Sequence, residues 1–233
     1  MIDVLCWKWG ALFGPEYVNR MAAMLRRHLT VPHQLHCITD NAEGIADHVV
    51  VWTMPGQYAN TPRCRRRMQQ YAADFDGRIG ERLLSVDLDM VLVADITPLV
   101  QRPEPIVMWR VQYADVLSGS FVLWNAGALD GAWRAFQRSP ESFPREASPR
   151  GIGSDQAMLN HYLSTRPPIA EWKDADGFVP YFGTGYEALE HQGVGPNRPR
   201  LPPHARVVVL GSADKYVMDT GKFDWVREHW TDD

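Results

Sequence analysis

The sequence predicts an α/β fold in which helices cover both faces of a mostly parallel sheet. Strands and helices alternate over the first 90 residues, which is the pattern of right-handed βαβ units. The run Leu83–Val86 is apolar or small and lies between turn residues, as expected for a central strand buried on both faces. The 233 residues, of which 45% are hydrophobic, are sufficient for one sizeable core.

The first half of the chain contains six elements that local signals define. Pro15 opens a segment with apolar residues at helical spacing, and Gly77 and Gly80 end a second helical pattern. Short apolar and β-branched runs between turn residues predict the strands. In chain order, the predictions are a strand at 2–7, a helix from Pro15, strands at Gln34–Thr39 and His48–Trp52, a helix at Pro62–Phe75 and a strand at Leu83–Val86.

The second half is less regular, and long loops separate its elements. The stretches 139–151 and 191–204 are dense in Pro, Gly, Ser and Arg, and loops of this length are typical of lids and binding loops. We find no internal repeat and no clear linker, so we expect one domain over 1–233. The predicted elements are strands at Ser120–Trp124 and Arg206–Leu210 and helices at Leu129–Arg138 and Ser154–Leu163.

Composition excludes several classes of protein. The 24 basic and 28 acidic residues give a formal charge of -4, which argues against a general nucleic-acid or anionic-membrane binder. The three cysteines show no C-x-x-C spacing, so we expect neither a disulfide framework nor a zinc site. The amino terminus lacks the features of a signal peptide, and no apolar stretch is long enough for a transmembrane segment. We therefore expect a cytoplasmic protein.

The motif Asp87-x-Asp89 is the strongest candidate for a functional site. Bare D-x-D patterns arise by chance, and this chain has three, but only Asp87 and Asp89 follow a buried strand. The other two, at 74–76 and 174–176, are typical of solvated turns. Carboxylates at i and i+2 of an extended segment point to the same side, so both can approach one cation. Hard divalent ions such as Mg²⁺ or Mn²⁺ prefer such oxygen ligands, shared with substrate phosphates.

The context of this motif resembles a known family. The segment Ser85–Leu99 is similar to the D-x-D segment of GT-A-fold glycosyltransferases, particularly the family-8-like group. The resemblance implies a GT-A-like three-layer αβα sandwich around a mostly parallel, mixed central sheet. It also implies a donor-binding half at about 1–100 and an acceptor-side half at about 101–233. Further similar segments are Lys8–Gly10, Tyr17–Asn19, Thr39–Asp40, Ser154–Asn160 and Trp225–Trp230.

The resemblance implies the chemistry of the acidic pair. Asp87 and Asp89 would bind Mn²⁺ or Mg²⁺ and, through it, the diphosphate of a nucleotide-sugar donor, with a UDP-sugar as the expected donor. A cation at this place stabilises the charge of a departing diphosphate. In the resembled enzymes the anomeric configuration is retained, with the departing phosphate helping to deprotonate the acceptor. The acceptor is an unknown glycan, lipid or protein.

Other residues are carried over from the resembled family position by position. Lys8, Thr39 and Asp40 would border the nucleoside pocket beyond the first two strands. Asp155 and Gln156 would face the transferred sugar and are the expected catalytic residues. These roles are what the resemblance implies, since the spacing of the residues alone does not define them.

Two departures from the family concern catalysis. The family has a late histidine as third metal ligand, but the corresponding run Val207–Tyr216 contains none. His204 before this strand, Asp214 after it, or a water molecule are the alternatives for that ligand. The family's usual Asn before the sugar-facing strand is here Ser118, followed by Gly119, and both are expected donor-binding residues.

Positive side chains are needed near a leaving diphosphate. Arginine forks suit phosphate oxygens, so one of Arg63, Arg66 or Arg67 is expected in that role, although an arginine run is often only a solvated face. Lys215 in the loop after the last predicted strand is a second candidate for a diphosphate contact.

Tryptophan supplies a further group of candidates among nine such residues. Trp7, Trp52 and Trp124 lie in predicted strands and are expected to be core residues. Trp9 and Trp109 lie next to strand ends and are the expected pocket residues, since flat apolar rings can stack on sugars and bases. Trp9 is therefore included among the donor-binding residues.

Two other functions fit parts of the sequence. The run Val86–Val91 also satisfies the apolar-D-x-D-x-V pattern of haloacid-dehalogenase-type phosphatases, in which the first Asp is a nucleophile. That motif normally lies near the amino terminus, whereas here 86 residues precede it. The missing late histidine instead favours a catalytically degenerate protein that binds a nucleotide or glycan without turnover.

Overall fold

A seven-stranded sheet forms the centre of the protein. The computed structural model describes residues 1–54, 61, 63–75, 77, 80–140 and 154–233. The strand order in this sheet is β3-β2-β1-β4-β7-β6-β8, and β7 is the one strand that runs antiparallel to its neighbours. The strands are β1 Ile2–Lys8, β2 His33–Thr39, β3 Val50–Thr53, β4 Arg82–Val86, β6 Ile106–Val111, β7 Val116–Asn125 and β8 Ala170–Trp172.

A second, three-stranded sheet packs against one face of the first. Its order is β5-β10-β9, with β10 antiparallel to β5 and parallel to β9. Its apolar residues share one core with the helix α1 and the carboxyl-terminal helices. The bounds are β5 Met90–Leu92, β9 Phe178–Pro180, β10 Val207–Val209, α1 Pro15–His28, α2 Thr97–Val100, α5 Tyr216–Asp219 and α6 Asp224–His229.

The other face of the main sheet is covered by a 3-10 helix and two α-helices. Alternate residues of β1 contribute to the two cores, with Val4 and Cys6 on one side and Leu5 and Trp7 on the other. Because all four are buried, β1 is a central strand with layers on both faces. The covering elements are the 3-10 helix Arg63–Tyr71, α3 Asp130–Arg138 and α4 Asp155–Ser164.

The predicted three-layer architecture is confirmed, with differences in detail. The segment predicted as helix Pro62–Phe75 is a 3-10 helix over Arg63–Tyr71, in which six of the nine residues are arginine or glutamine. The three-residue strands β5, β8 and β9 are too short for alternation to be detected. Across the described ranges, no helix has the length and apolar character needed to cross a bilayer.

Candidate functional site

The acidic pair lies beyond the carboxyl ends of the parallel strands of the main sheet, and this end of the sheet is called the sheet edge below. Asp87 is the first residue after β4, and its backbone N–H donates to the carbonyl of Ser120 on β7 at 2.9 Å. Because β7 runs antiparallel to β4, its early residues Ser118 and Gly119 lie at the same edge. The parallel strands β1 and β2 also end there, at Lys8 and Thr39. These residues therefore lie at the same end of the main sheet.

Arg67 connects the parts of this site. Its side chain is buried and donates to the carboxylate of Asp87, to Ser85 Oγ at 3.2 Å and to the carbonyl of Gly119 at 3.0 Å. Its Nε lies 3.3 Å from Oδ2 of Asp155. Burial alone would lower the pKa of Arg67, but the two carboxylates outweigh burial and raise it. Arg67 is therefore permanently charged and is the arginine that contacts the acids.

Asp155 and Gln156 are the first two residues of α4. This helix packs on the face of the main sheet that the 3-10 helix also covers. Ser154 caps this helix by accepting from the backbone N–H of Ala157 at 3.2 Å. Asp155 is buried, and burial, partly offset by Arg67, raises its pKa to about 6. Gln156 Oε1 accepts from the backbone N–H of Gly119 at 3.1 Å.

Gly119 allows β7 to pass close to the start of α4. A Cβ at this position would lie 3.1 Å from Cβ and 3.3 Å from Cα of Gln156. No hydrogen bond from the Gln156 amide Nε2 is found within the described residues, so this donor remains available to a ligand. The side chain is partly exposed.

Asp89 lies between Asp87 and the end of β10. Its backbone carbonyl accepts from Leu210 N at 2.9 Å, and its side chain is partly buried. Burial, followed by repulsion from Asp87, raises the pKa of Asp89 to about 8, and Asp214 adds to the repulsion. An aspartate with this pKa carries a proton at neutral pH unless a cation lies beside it.

The direction of β10 distinguishes the two side chains, His204 and Asp214, that were considered as a third metal ligand. Leu210, which follows β10, contacts Asp89, and Asp214 lies in the turn after it. His204 precedes β10 and therefore lies at the opposite end of the strand. Asp214 is thus near the acidic pair, whereas His204 is not.

The side chains near the acidic pair are of the type that binds a divalent cation. The three nearby groups are carboxylates, which suits Mg²⁺ or Mn²⁺. The raised pKa of Asp89 shows that a positive charge would be favourable there. No group of three or more His, Cys, Asp or Glu residues with metal-binding geometry occurs among the described residues. Asp87 and Asp89, with Asp214 nearby, are the residues that would hold a cation.

The predicted nucleoside pocket lies beyond the ends of β1 and β2. Lys8 is buried and donates from Nζ to the carbonyl of Asn41 at 3.0 Å. Asp40 accepts from the backbone N–H of Gly10 at 2.9 Å, which ties the two strand-end loops together. Thr39 Oγ1 also donates to the Asn41 carbonyl, at 2.9 Å.

Trp9 and Arg66 contact each other beside the end of β1. The Arg66 guanidinium lies over the Trp9 ring, 4.9 Å from its centroid, and also donates to the carbonyl of Thr61 at 2.9 Å. Trp9 is partly exposed. The side chain of Arg63 lies outside the described part of the chain, as does Asp76 of the first D-x-D pattern.

Two candidates occupy positions that differ from the expectation. Lys215 Nζ lies 2.6 Å from Asp219 Oδ2 and 3.2 Å from the Tyr17 hydroxyl, so it is directed towards α1. Trp109 is only 2% exposed and stacks on Phe178, so it is a core residue rather than a pocket residue. Its position at a strand end was misleading because the second sheet covers that end.

Cys64 is a site residue that sequence reasoning missed. It lies near Asp155, Arg67, Asp87 and Asp89, and burial raises the pKa of its thiol to about 12. The thiol therefore stays protonated and adds no charge next to these side chains. Only its position three residues before Arg67 on the 3-10 helix could have indicated this.

The fold described above is the GT-A-like arrangement that the sequence predicts. Solved structures confirm that fold. The galactosyltransferase LgtC, in complex with donor and acceptor sugar analogs, matches with a TM-score of 0.61 and 13% identity over 98% of this chain and 96% of LgtC.

The glycosyltransferase GlyE of Streptococcus pneumoniae TIGR4 matches with a TM-score of 0.64 and 13% identity. Its apo form gives a TM-score of 0.62. This chain spans 63% of the first GlyE structure and 62% of the second. At this identity the likeness concerns the fold, and the family-8 assignment stays a prediction. The amino-acid sequence itself matches no protein-family model and no curated protein.

Proposed function

We propose that this protein is a glycosyltransferase that uses a nucleotide-diphospho-sugar, with a UDP-sugar as the expected donor and with retention of configuration. Asp87 and Asp89 are the residues that hold Mn²⁺ or Mg²⁺ in this proposal. Residues 1–233 form one transferase domain. The fold supports a transferase, and the following features of the site support the donor class.

The order of groups along the sheet edge is the observation that carries this proposal. Asp40 follows β2, Trp9 follows β1 and the acidic pair follows β4. Gly119 lies on β7, next to Gln156 of α4. With neighbouring strands ~4.8 Å apart, β2 and β7 are separated by roughly 14 Å. An extended nucleotide sugar has a comparable length and carries its base, diphosphate and sugar in the same order.

Each of these side chains has a distinct task in the proposed reaction. A bound divalent cation would supply the positive charge that a diphosphate needs in order to leave. Arg67 holds Asp87 and Asp155 in fixed positions by hydrogen bonding and ion pairing. Gln156 is anchored by Gly119 and presents its Nε2 hydrogens towards the donor sugar. Cys64 excludes a charged group from the same wall.

The acceptor side is proposed near three exposed tyrosines. Tyr113 is 44% exposed, contacts Phe182 with ring centroids 5.0 Å apart and lies close to Tyr186, which is 52% exposed. Tyr216 is 38% exposed and lies 3.5 Å from Tyr181, hydroxyl to hydroxyl. Exposed aromatic rings with hydroxyl groups suit the apolar faces and polar rims of sugars, which favours a glycan acceptor.

Calorimetric titration with UDP and MnCl₂ tests the donor site. Wild-type protein is expected to bind UDP only when Mn²⁺ is present, and Asp89→Ala is expected to lose this binding. Asp74→Ala, which removes an exposed carboxylate of another D-x-D pattern, is the matched control. Equal UDP binding by wild type and Asp89→Ala, or binding by neither, contradicts the proposed role of the pair.

A second candidate is a binding protein without turnover. It is favoured by the engagement of Asp87 with Arg67 and by the lack of a three-ligand cluster in the described residues. Hydrolysis of UDP-glucose, UDP-galactose and UDP-N-acetylglucosamine distinguishes the candidates, since measurable turnover of any donor removes the second.

The phosphatase alternative gains no support from the site. Asp87, which would be its nucleophile, is hydrogen-bonded to a buried arginine that neutralises it. Mg²⁺-dependent hydrolysis of p-nitrophenyl phosphate, abolished by Asp87→Asn, is the result that would favour it.

A further inference from the structure

A cavity of about 280 Å³ lies away from the acidic pair, between the edge strand β8 and the amino-terminal ends of β9 and β10. Arg206 immediately precedes β10 and lines this cavity, whereas Leu210 immediately follows β10 and contacts Asp89. At ~3.3 Å per residue, the two ends are roughly 13 Å apart along the strand. The cavity is therefore separate from the proposed donor site.

The polar groups of this cavity are mostly hydrogen-bond donors. Two guanidiniums, Arg102 and Arg206, and the imidazole of His204 line it, against one carboxylate, Asp176. Arg102 uses Nε and Nη2 to bind Glu104 at 3.0 and 2.6 Å, so its charge is partly neutralised.

The guanidinium of Arg206 makes fewer hydrogen bonds to neighbouring residues than that of Arg102. One of its terminal nitrogens donates to the backbone carbonyl of Asp95. Within the described residues, no other hydrogen bond of this guanidinium occurs, and none occurs for the ring of His204. Arginine presents its donors in a planar fork that matches a carboxylate or phosphate group.

Trp172 lies in the wall of this cavity, and its indole N–H can report on whether the cavity is occupied. Trp172 forms part of the cavity wall and is 1% exposed, and its ring is held by edge contacts with Phe121 at 5.2 Å. Its Nε1–H is buried and has no acceptor among the described residues. A buried donor without an acceptor is costly, and native proteins usually supply a partner.

We propose that this cavity binds a small organic anion, with its carboxylate or phosphate oxygens accepting from Arg206 and His204. Leu99 and Trp172 supply apolar surface for the hydrocarbon part of such a ligand. The volume limits the ligand to a small metabolite, below the usual range of drug-sized pockets. This site is independent of glycosyl transfer.

The indole N–H signals in a ¹⁵N-resolved NMR spectrum test the proposal directly. The full chain is titrated with inorganic phosphate and, in a separate arm, with succinate, at ionic strength held constant with NaCl. The Trp172 signal, assigned by its loss in Trp172→Phe, is expected to shift in a saturable way with at least one anion. The arm that saturates first identifies phosphate or carboxylate as the preferred group.

Trp230 is the matched control within the same molecule. Its Nε1–H is also buried without an acceptor among the described residues, but Trp230 does not line this cavity. Its signal should therefore stay unchanged. A Trp172 signal that does not move with either anion, or that moves only together with Trp230, overturns the proposal.

Arginine variants separate binding from a general effect of charge. Arg206→Gln is expected to weaken the Trp172 response about 10-fold or more, because a charge-assisted hydrogen bond is lost. Arg134→Gln, on the exposed face of α3, is expected to leave it unchanged. If Arg206→Gln does not fold, Arg102→Gln is used in its place, with a smaller expected loss. Unchanged affinity in the folded variant contradicts the assignment.

Discussion

Replacing Asp89 by asparagine should stabilise the protein when no divalent cation is present. Folding places the Asp89 carboxylate beside Asp87 and within reach of Asp214, and it partly buries the group. The folded protein avoids this repulsion by keeping a proton on Asp89. Asparagine has a similar shape and no charge, so Asp89→Asn removes the electrostatic penalty without creating a cavity.

The size of the effect follows from the pKa of Asp89. This pKa rises from 3.8 to about 8 on folding, so at pH 7 the folded protein holds a proton that the unfolded chain has released. A gap of about three pH units corresponds to ~4 kcal/mol, at ~1.4 kcal/mol per unit. Solvent at the open side of the cleft screens the charges, and we expect about 1–3 kcal/mol.

The pH dependence has a defined sign. Below about pH 4 the folded and unfolded chains both carry the proton on Asp89, so wild type and Asp89→Asn should be equally stable. The folded pKa is raised, so wild type loses stability relative to the variant as pH increases towards 8. Above about pH 8 the difference should be constant.

Urea unfolding followed by tryptophan fluorescence measures these differences in the presence of EDTA at pH 4, 7 and 8.5. Asp47→Asn, which changes an exposed aspartate, should stay within about 0.5 kcal/mol of wild type. Adding MnCl₂ and UDP should reverse the order, because only wild type is stabilised by ligand. An Asp89→Asn protein that is no more stable than wild type in EDTA at pH 7 refutes the reasoning.

Three further changes give defined outcomes. Arg67→Gln should lower the free energy of unfolding by about 3–5 kcal/mol in urea, because two buried carboxylate contacts lose their cation; Arg65→Gln should have little effect. Gly119→Ala should reduce donor turnover at least 10-fold while UDP affinity changes little, because the new methyl group displaces Gln156. Ser154→Ala should cost about 1 kcal/mol in thermal unfolding through loss of the α4 cap, and Ser154→Asp should restore most of it.

The sequence was sufficient to predict the parts of the fold with strong local signals. The apolar or small run of β4 and the helix opened by Pro15 are found near the predicted bounds. The strands β5, β8 and β9 have three residues each, and their pairing depends on contacts between distant segments. Local periodicity contains no information about such contacts.

The candidate site was predictable to the level of the strand ends. Asp87 and Asp89 were found because they directly follow β4, and topology then fixes their place at the sheet edge. That Arg67 rather than Arg66 contacts Asp87 depends on the phase of the 3-10 helix, which turns adjacent side chains to different neighbours. That Asp214 rather than His204 lies near the acidic pair depends on the direction of β10.

The reversed direction of β7 has a consequence for how this chain can diverge. The β6–β7 turn, at 112–115, projects from the same edge as the acidic pair and carries Tyr113 and Asp115, which has a positive φ of 49°. Insertions in such a turn leave the ladder between β4 and β7 intact. Lengthening or shortening this one hairpin therefore changes the surface beside the acidic pair and leaves the strand that precedes the pair in place.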